Sequence, residues 1–166
     1  TFVGASEDPT AISTASPTRT SGSDEVTGIT LSNDETSLYA LVGINTDYEF
    51  PLAGTGYAKS AFGGVDVAVV KMSLDFTTQE ASTIWGTTGS DTGTDIIVDR
   101  FDDVYITGEA ADGLVTTVGA YDRTFNGGTD VYLTRFSEDL STVVASTYIG
   151  SDASDEGMTL AYTANG

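Results

Sequence analysis

The sequence contains no cysteine and no histidine, and both absences restrict the chemistry that this protein can perform. Without cysteine there are no disulfides, thiolate nucleophiles or thiolate metal ligands. Without histidine there are no imidazole ligands, and the usual general base is missing as well. Zinc sites of the Cys/His type and Ser-His-Asp or Cys-His catalytic arrangements are therefore excluded.

Positive charge is also scarce, since 6 Lys and Arg residues face 25 Asp and Glu residues and the formal net charge is -19. This excess repels the phosphates of nucleic acids and anionic lipid surfaces. No stretch approaches the ~18 consecutive apolar residues that a membrane-spanning helix requires. We therefore expect neither nucleic-acid binding nor membrane insertion. The composition favours an extracellular or cell-surface location, and Thr1 in place of Met indicates a processed protein or a piece of a longer one.

What the sequence does contain is an internal repeat. The stretch FGGVDVAVVKMS at 62–73 returns 64 residues later as NGGTDVYLTRFS at 126–137. Residues 63–86 and 127–150 share 11 identities in 24 positions without a gap. Residues that recur at a fixed period mostly serve the fold, so the repeat decides how the other motifs are interpreted.

The repeat divides the chain into four predicted parts. They are 1–21, a terminal strand with a Ser/Thr/Pro-rich loop; 22–86, the first unit; 87–150, the second unit; and 151–166, the start of a further unit. The loop is expected to be solvated, and a partner contact or a glycosylated loop is the alternative.

Each unit contains four short segments that are rich in Val, Ile, Tyr and Thr and are separated by Gly, Asp and Asn. Such segments predict antiparallel strands, and no segment shows a capped helical period. The third segment is apolar on both sides, so it should lie between neighbouring sheets. We therefore predict an all-β fold of propeller-type blades, each a four-stranded antiparallel sheet. The predicted strands are Ile29–Ser32, Leu38–Val42, Val67–Ser73 and Ala81–Trp85, and then Ile96–Asp99, Val104–Thr107, Val131–Ser137 and Ala145–Ile149.

One motif order is specific enough to suggest a family. In both units an aromatic-containing linker precedes Gly-Gly-x-Asp and an apolar strand that ends in Lys or Arg, an apolar residue and Ser. Flanked by GITL, LYALVG and STIWG, and again by DIIVD, DVYITG and STYIG, this order resembles the SBBP-type β-propeller repeat of bacterial surface and secreted proteins. The resemblance extends over roughly residues 22–165 and implies propeller blades at a bacterial surface.

The number of units bears on how such blades are completed. A closed propeller needs about 4–8 blades, and only two full units are present here. The resemblance therefore implies either further blades or several copies that assemble, with terminal strands completing a neighbour's blade.

The residues of the repeated motif are expected to be structural. Each aspartate should accept backbone N–H groups as the chain turns into the third strand, and the glycines should permit a positive φ or a close approach of backbone. A catalytic role would not need one copy in every unit. Lys71 and Arg135 are expected to reach acidic neighbours, and Tyr39 and Tyr105 to pack within the blades. The motif residues are Gly63, Gly64, Asp66, Gly127, Gly128 and Asp130.

A group of acidic residues in the second unit is a candidate calcium site. Calcium takes 6–8 oxygen ligands, and closely spaced carboxylates would otherwise repel one another. Turn formation and solvation are the alternative, because aspartate is favoured in turns and no EF-hand spacing occurs. The candidate ligands are Asp91, Asp95, Asp99, Asp102 and Asp103.

These observations predict a structural or adhesive repeat module, not an enzyme, that assembles through blade faces and edge strands and is stabilised by calcium if the acidic residues bind it. Its expected partners are copies or further blades of the same protein. The first alternative is a propeller that binds a carbohydrate or a protein ligand, with Tyr57, Tyr121 and Trp85 as candidate contact residues. The second is a glycosidase fragment that uses an Asp/Glu pair.

Overall fold

The computed structural model describes residues 24–45 and 50–163, and these residues form eight β-strands and no helix. The strands make two four-stranded antiparallel sheets, each in the order of the sequence. The predicted all-β fold is confirmed, while the predicted terminal strand and loop at 1–21 lie outside the described residues. Sheet 1 contains β1 (Glu25–Leu31), β2 (Ser37–Asn45), β3 (Val65–Ser73) and β4 (Gln79–Trp85); sheet 2 contains β5 (Thr92–Val98), β6 (Val104–Ala110), β7 (Asp130–Phe136) and β8 (Val143–Ile149).

The first strand of each sheet begins earlier than predicted. In β1, Glu25 and Val26 pair with Gly43 and Val42 of β2. Residues 25–28, EVTG, contain a single apolar residue and therefore show no apolar alternation. Backbone irregularities also repeat between the sheets, which shows that the repeat extends to strand register. The register shifts lie between Val26 and Gly28, between Lys71 and Met72, between Gly93 and Asp95, and between Arg135 and Phe136.

Three of the hairpin turns share one hydrogen-bonded design, which we call the Ser-x-Asp turn. In the β3–β4 turn, Asp75 Oδ1 accepts from Ser73 Oγ at 2.6 Å and from Thr77 N at 3.1 Å. Ser73 Oγ in turn accepts from Thr78 N at 3.1 Å, and Phe76 has a φ of 57°. These hydrogen bonds, the one from Ser73 first, lower the pKa of Asp75. Residues 32–37 and 137–142 repeat this arrangement around Asp34 and Asp139.

Each sheet has two different faces. Residues that pair directly across strands lie on the same face, so the register assigns the side chains. The leading face of sheet 1 is formed by Tyr39, Leu41, Val67, Val69, Lys71, Ala81, Thr83 and Trp85, and that of sheet 2 by Tyr105, Thr107, Val131, Leu133, Arg135, Ala145, Thr147 and Ile149. The trailing faces carry the alternate residues, among them Val42, Ala68 and Ile84 in sheet 1 and Ile106, Tyr132, Phe136 and Tyr148 in sheet 2.

The two sheets stack with unlike faces in contact. The main apolar cluster joins leading-face residues of sheet 1, such as Leu41 and Trp85, to trailing-face residues of sheet 2, such as Ile106 and Phe136. The Trp85 and Phe136 rings meet edge to face, with their centroids 5.2 Å apart. This stacking is head to tail, which is the relation that neighbouring blades of a propeller also have.

The linkers between the second and third strands run along the outer edges of the sheets. In sheet 1, Ser82 N donates to Thr55 O and Ile84 N donates to Ala58 O. Lys59 Nζ adds hydrogen bonds to Ala53 O, Thr55 O and Ser82 O, and burial lowers the pKa of this lysine. The second linker does the same for β8, where Thr117 N donates to Ser146 O and Tyr148 N donates to Asp122 O.

We expect Trp85→Ala to lower the free energy of unfolding by about 3–5 kcal/mol, because it removes a large side chain from the junction of the sheets. The repeat supplies a matched control, since Ile149 occupies the equivalent leading-face position in sheet 2 and is 45% exposed, whereas Trp85 is 1% exposed. Ile149→Ala should cost less than about 1 kcal/mol. Urea denaturation of dilute protein measures both values, and equal losses would contradict the head-to-tail stacking.

Candidate functional site

The Gly-Gly-x-Asp motif has the same geometry in both units. Asp66 Oδ2 accepts from Phe62 N at 2.7 Å, and Asp130 Oδ2 accepts from Asn126 N at 2.9 Å. Both aspartates are completely buried. The first glycine of each pair, at 63 and 127, has a φ of 146° and 131°, and the second, at 64 and 128, has a φ of 61° and 66°. The motif thus forms the tight entry into the third strand.

The other carboxylate oxygen of each motif aspartate faces a glycine at the junction of the units. A Cβ at Gly86 would lie 2.2 Å from Asp66 Oδ1, and a Cβ at Gly150 would lie 2.5 Å from Asp130 Oδ1. Among the described residues, neither Oδ1 atom has a hydrogen-bond partner. Burial, with a smaller contribution from the charge of Asp91, raises the pKa of Asp66 to about 6. A shifted carboxyl is a common mark of an active site, but the same arrangement of Asp130 and Gly150 favours a structural role here.

The raised pKa gives a pH-dependent prediction for Asp66→Asn. Folded Asp66 holds its proton up to about pH 6, whereas the ordinary value is 3.8, so its contribution favours folding below about pH 4 and is lost as the pH rises through 6. Asparagine keeps an acceptor for Phe62 N without the charge. The unfolding free energy of the variant relative to the natural protein should therefore rise between pH 4 and pH 6 and then level off. Urea titrations across this range test this, and a constant difference would contradict the shift.

The five candidate calcium ligands lie at three separate places. Asp91 is buried at the junction of the units and accepts from Thr87 N at 2.6 Å and from Ala111 N at 2.9 Å. Burial raises the pKa of Asp91. Asp95 lies on β5, where its Oδ2 accepts from Thr159 Oγ1 and Leu160 N. The other three share the β5–β6 turn.

In that turn each carboxylate has partners within the chain. Asp99 Oδ1 accepts from the backbone of Phe101 and Asp103, and Asp102 Oδ1 accepts from Asn33 N at 2.8 Å. Arg135 Nε donates to Asp103 Oδ2 at 2.8 Å, and the guanidinium lies 3.7 Å from Asp99. Within 24–45 and 50–163, no group of three or more acidic side chains is placed to hold a metal ion. Calcium binding by these aspartates stays a prediction.

The sequence predicted an acidic neighbour for Lys71, but not the contact that joins the β7–β8 turn to sheet 1. Tyr39 Oη donates to Glu138 O at 3.0 Å, and Lys71 Nζ contacts Glu138 Oε1 at 2.8 Å. Leu140, which has a φ of 56°, is completely buried and accepts at its carbonyl from Tyr57 N. We call the receiving surface cradle 1 and define it as Tyr39, Thr55, Tyr57, Lys71 and Ala81. Burial raises the pKa of Tyr39 to about 12, so its hydroxyl remains a donor.

The leading face of sheet 2 is the exposed counterpart of the buried leading face of sheet 1. Trp85 is 1% exposed, but the equivalent Ile149 is 45% exposed. Val67 and Val69 are completely buried, whereas the equivalent Val131 and Leu133 are half-buried. The two faces have the same strand pattern, so the difference comes from the sheet that covers only the first.

Residues 151–160 lie against sheet 2 as 87–96 lie against sheet 1. Asp155 N donates to Thr129 O at 2.8 Å, and Asp91 N donates to Val65 O at 2.7 Å. A Cβ at Gly157 would lie 2.8 Å from Val131 Cγ1, just as one at Gly93 would lie 3.0 Å from Val67 Cγ1. The leading face of sheet 2 is therefore covered around Val131 in the same way as the leading face of sheet 1 is covered around Val67.

Comparison with known proteins finds no protein-family model and no curated protein that matches the chain. The SBBP-type resemblance therefore stays a prediction from the sequence. In the part of the chain that the structure describes, there is no helix of the length and apolarity needed to cross a membrane. The exposed leading face of sheet 2 is the candidate functional surface.

Proposed function

We propose that the protein is a structural repeat module of the extracellular space or bacterial cell surface, which assembles by stacking β-sheet faces. The observation that carries this proposal is the difference between the two leading faces. The same face that is buried in sheet 1 has Ile149 45% exposed in sheet 2. Burial of apolar surface contributes about 25 cal/mol per Å², so covering this face favours association.

The way the sheets stack determines the kind of assembly. Within the chain a leading face packs on a trailing face, so the pair of sheets has two unlike ends. A copy that contacts the exposed leading face of sheet 2 through its sheet 1 end offers another leading face of its own. Such heterologous contacts give a ring if the rotation closes and an open array if it does not. The position of residues 151–160 on sheet 2 supports continuation in the same direction, because it repeats the packing of 87–96 on sheet 1.

The contact between copies is expected to use the faces of the sheets and not their outer edge strands, β4 and β8. Backbone groups of Ser82 and Ile84 on β4 and of Ser146 and Tyr148 on β8 are already bonded to the linkers. An incoming strand at these edges would have to replace those hydrogen bonds. The surface location is supported by the cysteine-free, strongly acidic composition, which keeps single molecules soluble.

Static light scattering over a range of concentrations tests the proposal. The mass should rise above the 17.2 kDa of one chain, and more so at high salt, because salt screens the net charge of -19. Ile149→Asp should weaken association by at least about tenfold, since it puts an unpaired charge into the stacked face. Val115→Asp is a matched control, because Val115 is 42% exposed and lies in the second linker. A single-chain mass at every concentration and salt level would refute the proposal.

A further inference from the structure

The β3–β4 turn of this chain has the design of the turn that fills cradle 1. Residues 73–78 and 137–142 share the serine and aspartate hydrogen bonds, and Phe76 and Leu140 have φ values of 57° and 56°. Leu140 is completely buried between the units, whereas 47% of Phe76 and 40% of Leu74 are exposed. The turn at 137–142 is therefore inserted between the units, whereas the turn at 73–78 has the same backbone design but lies at the surface.

Sheet 2 has a second cradle that matches cradle 1 at four of its five positions; at the fifth, Gly119 stands where Thr55 donates to Asp139 O. Tyr105, Arg135 and Ala145 stand in the register of Tyr39, Lys71 and Ala81, and Tyr121 follows 64 residues after Tyr57. Tyr121 is 88% exposed. Gly157 lies near Thr107 and Val131, which are one and two rows further along the strands, so its contacts leave the row of Tyr105 and Arg135 accessible. We call this surface cradle 2 and define it as Tyr105, Tyr121, Arg135 and Ala145.

The charges fit this pair of turn and cradle. In cradle 1 the cation Lys71 pairs with Glu138, which comes from the inserted turn. In cradle 2 the cation Arg135 is already paired with Asp103 and Asp99 of its own sheet. The turn at 73–78 carries the apolar Leu74 where the other turn carries Glu138, so at this position it adds no charge that cradle 2 would leave unpaired. Its carboxylate, Asp75, is hydrogen-bonded within the turn, as Asp139 is in the other turn.

A neighbouring pair of turns supplies opposite charges at the same end of the sheets. Within the chain, Asn33 of the β1–β2 turn donates to Asp102 of the β5–β6 turn from both its backbone and its side chain. In a head-to-tail contact between copies, the corresponding positions are Arg100 of one copy and Glu35 of the next. Both side chains are exposed, and their charges are opposite.

From these matches we propose that a second copy of this chain inserts its β3–β4 turn into cradle 2, so that copies join head to tail. The inference rests on the proposed stacking function and names the element that makes the contact. The remainder of the trailing face of sheet 1, including Val42 and Ala68, is already buried within the chain. The contact between copies therefore centres on the turns at 73–78 and 32–37.

Cysteine cross-linking of the full chain tests the proposal, because the natural sequence contributes no thiol. Tyr57 N lies 2.7 Å from Leu140 O in cradle 1, which places the two Cα atoms within disulfide range. The double variant F76C/Y121C should therefore give cross-linked dimers and longer ladders under mild oxidation. The control variant F76C/V115C should form them at least about tenfold more slowly. Equal rates for the two variants would overturn the proposal.

Association measurements of further full-length variants give an independent test. Phe76→Asp should weaken association at least about tenfold, while Phe76→Leu, which imitates Leu140, should stay within about threefold of the natural chain. Glu35→Arg and Arg100→Glu should each weaken association, and the double variant should restore it, which a purely structural role would not produce. Near-ultraviolet circular dichroism checks that each variant is folded.

The outcomes separate the two proposals. If the natural chain assembles but Phe76→Asp assembles equally well, the turn contact is wrong and the stacking function stands. If the natural chain remains a single molecule at every concentration, both are wrong.

Discussion

The structure depends on one interaction, which is the packing of the leading face of sheet 1 on the trailing face of sheet 2. If the contacting faces were identical, two sheets could pack face to face and leave no such face exposed. Here the large side chain Trp85 on one face meets Phe136 on the other, so the pair of sheets has a direction. Cradle 1 and the junction glycines lie where this packing brings the two units together.

Short polar side chains fix the geometry of the turns within each sheet, where apolar packing is sparse. The Ser-x-Asp turns close the hairpins by hydrogen bonds from backbone and hydroxyl groups to one carboxylate. The motif aspartates Asp66 and Asp130 do the same at the entries to the third strands. Because these contacts are local in sequence, each unit can form its turns before it stacks on its neighbour. Part of the acidic excess thus lies in turns and strand entries, where the carboxylates accept hydrogen bonds from the chain.

The sequence was sufficient to predict what depends on local pattern. Short segments rich in Val, Ile, Tyr and Thr, separated by Gly, Asp and Asn, together with the 64-residue period, predicted the eight strands, because β-branched and aromatic residues favour strands and the others favour turns. The early start of β1 was missed, since Glu25 and Val26 pair through the backbone and leave no apolar pattern. The Ser-x-Asp turns could have been found from the pattern Ser-x-Asp-x followed by two Ser or Thr residues, which recurs at 32–37, 73–78 and 137–142.

Contacts between units could not be predicted in the same way. The docking of Leu140 near Tyr57 depends on the relative position of two sheets, which no local pattern encodes. The five aspartates of the calcium hypothesis looked close because they are near in sequence, yet β5 carries Asp95 away from both Asp91 and the turn. Four residues of an extended strand span roughly 13 Å, so Asp95 is too far from Asp91 and from Asp99 to share one ion with either.

The linkers along β4 and β8 have a consequence for the dimension in which such molecules can grow. The hydrogen bonds of Lys59 and of the linker backbone leave the outer edges of both sheets engaged. A sheet can gain further strands, as amyloid fibrils do, only where the backbone groups of its edge strand are free to form hydrogen bonds. Any assembly of this chain would therefore not widen strand by strand at β4 or β8 without first displacing these hydrogen bonds.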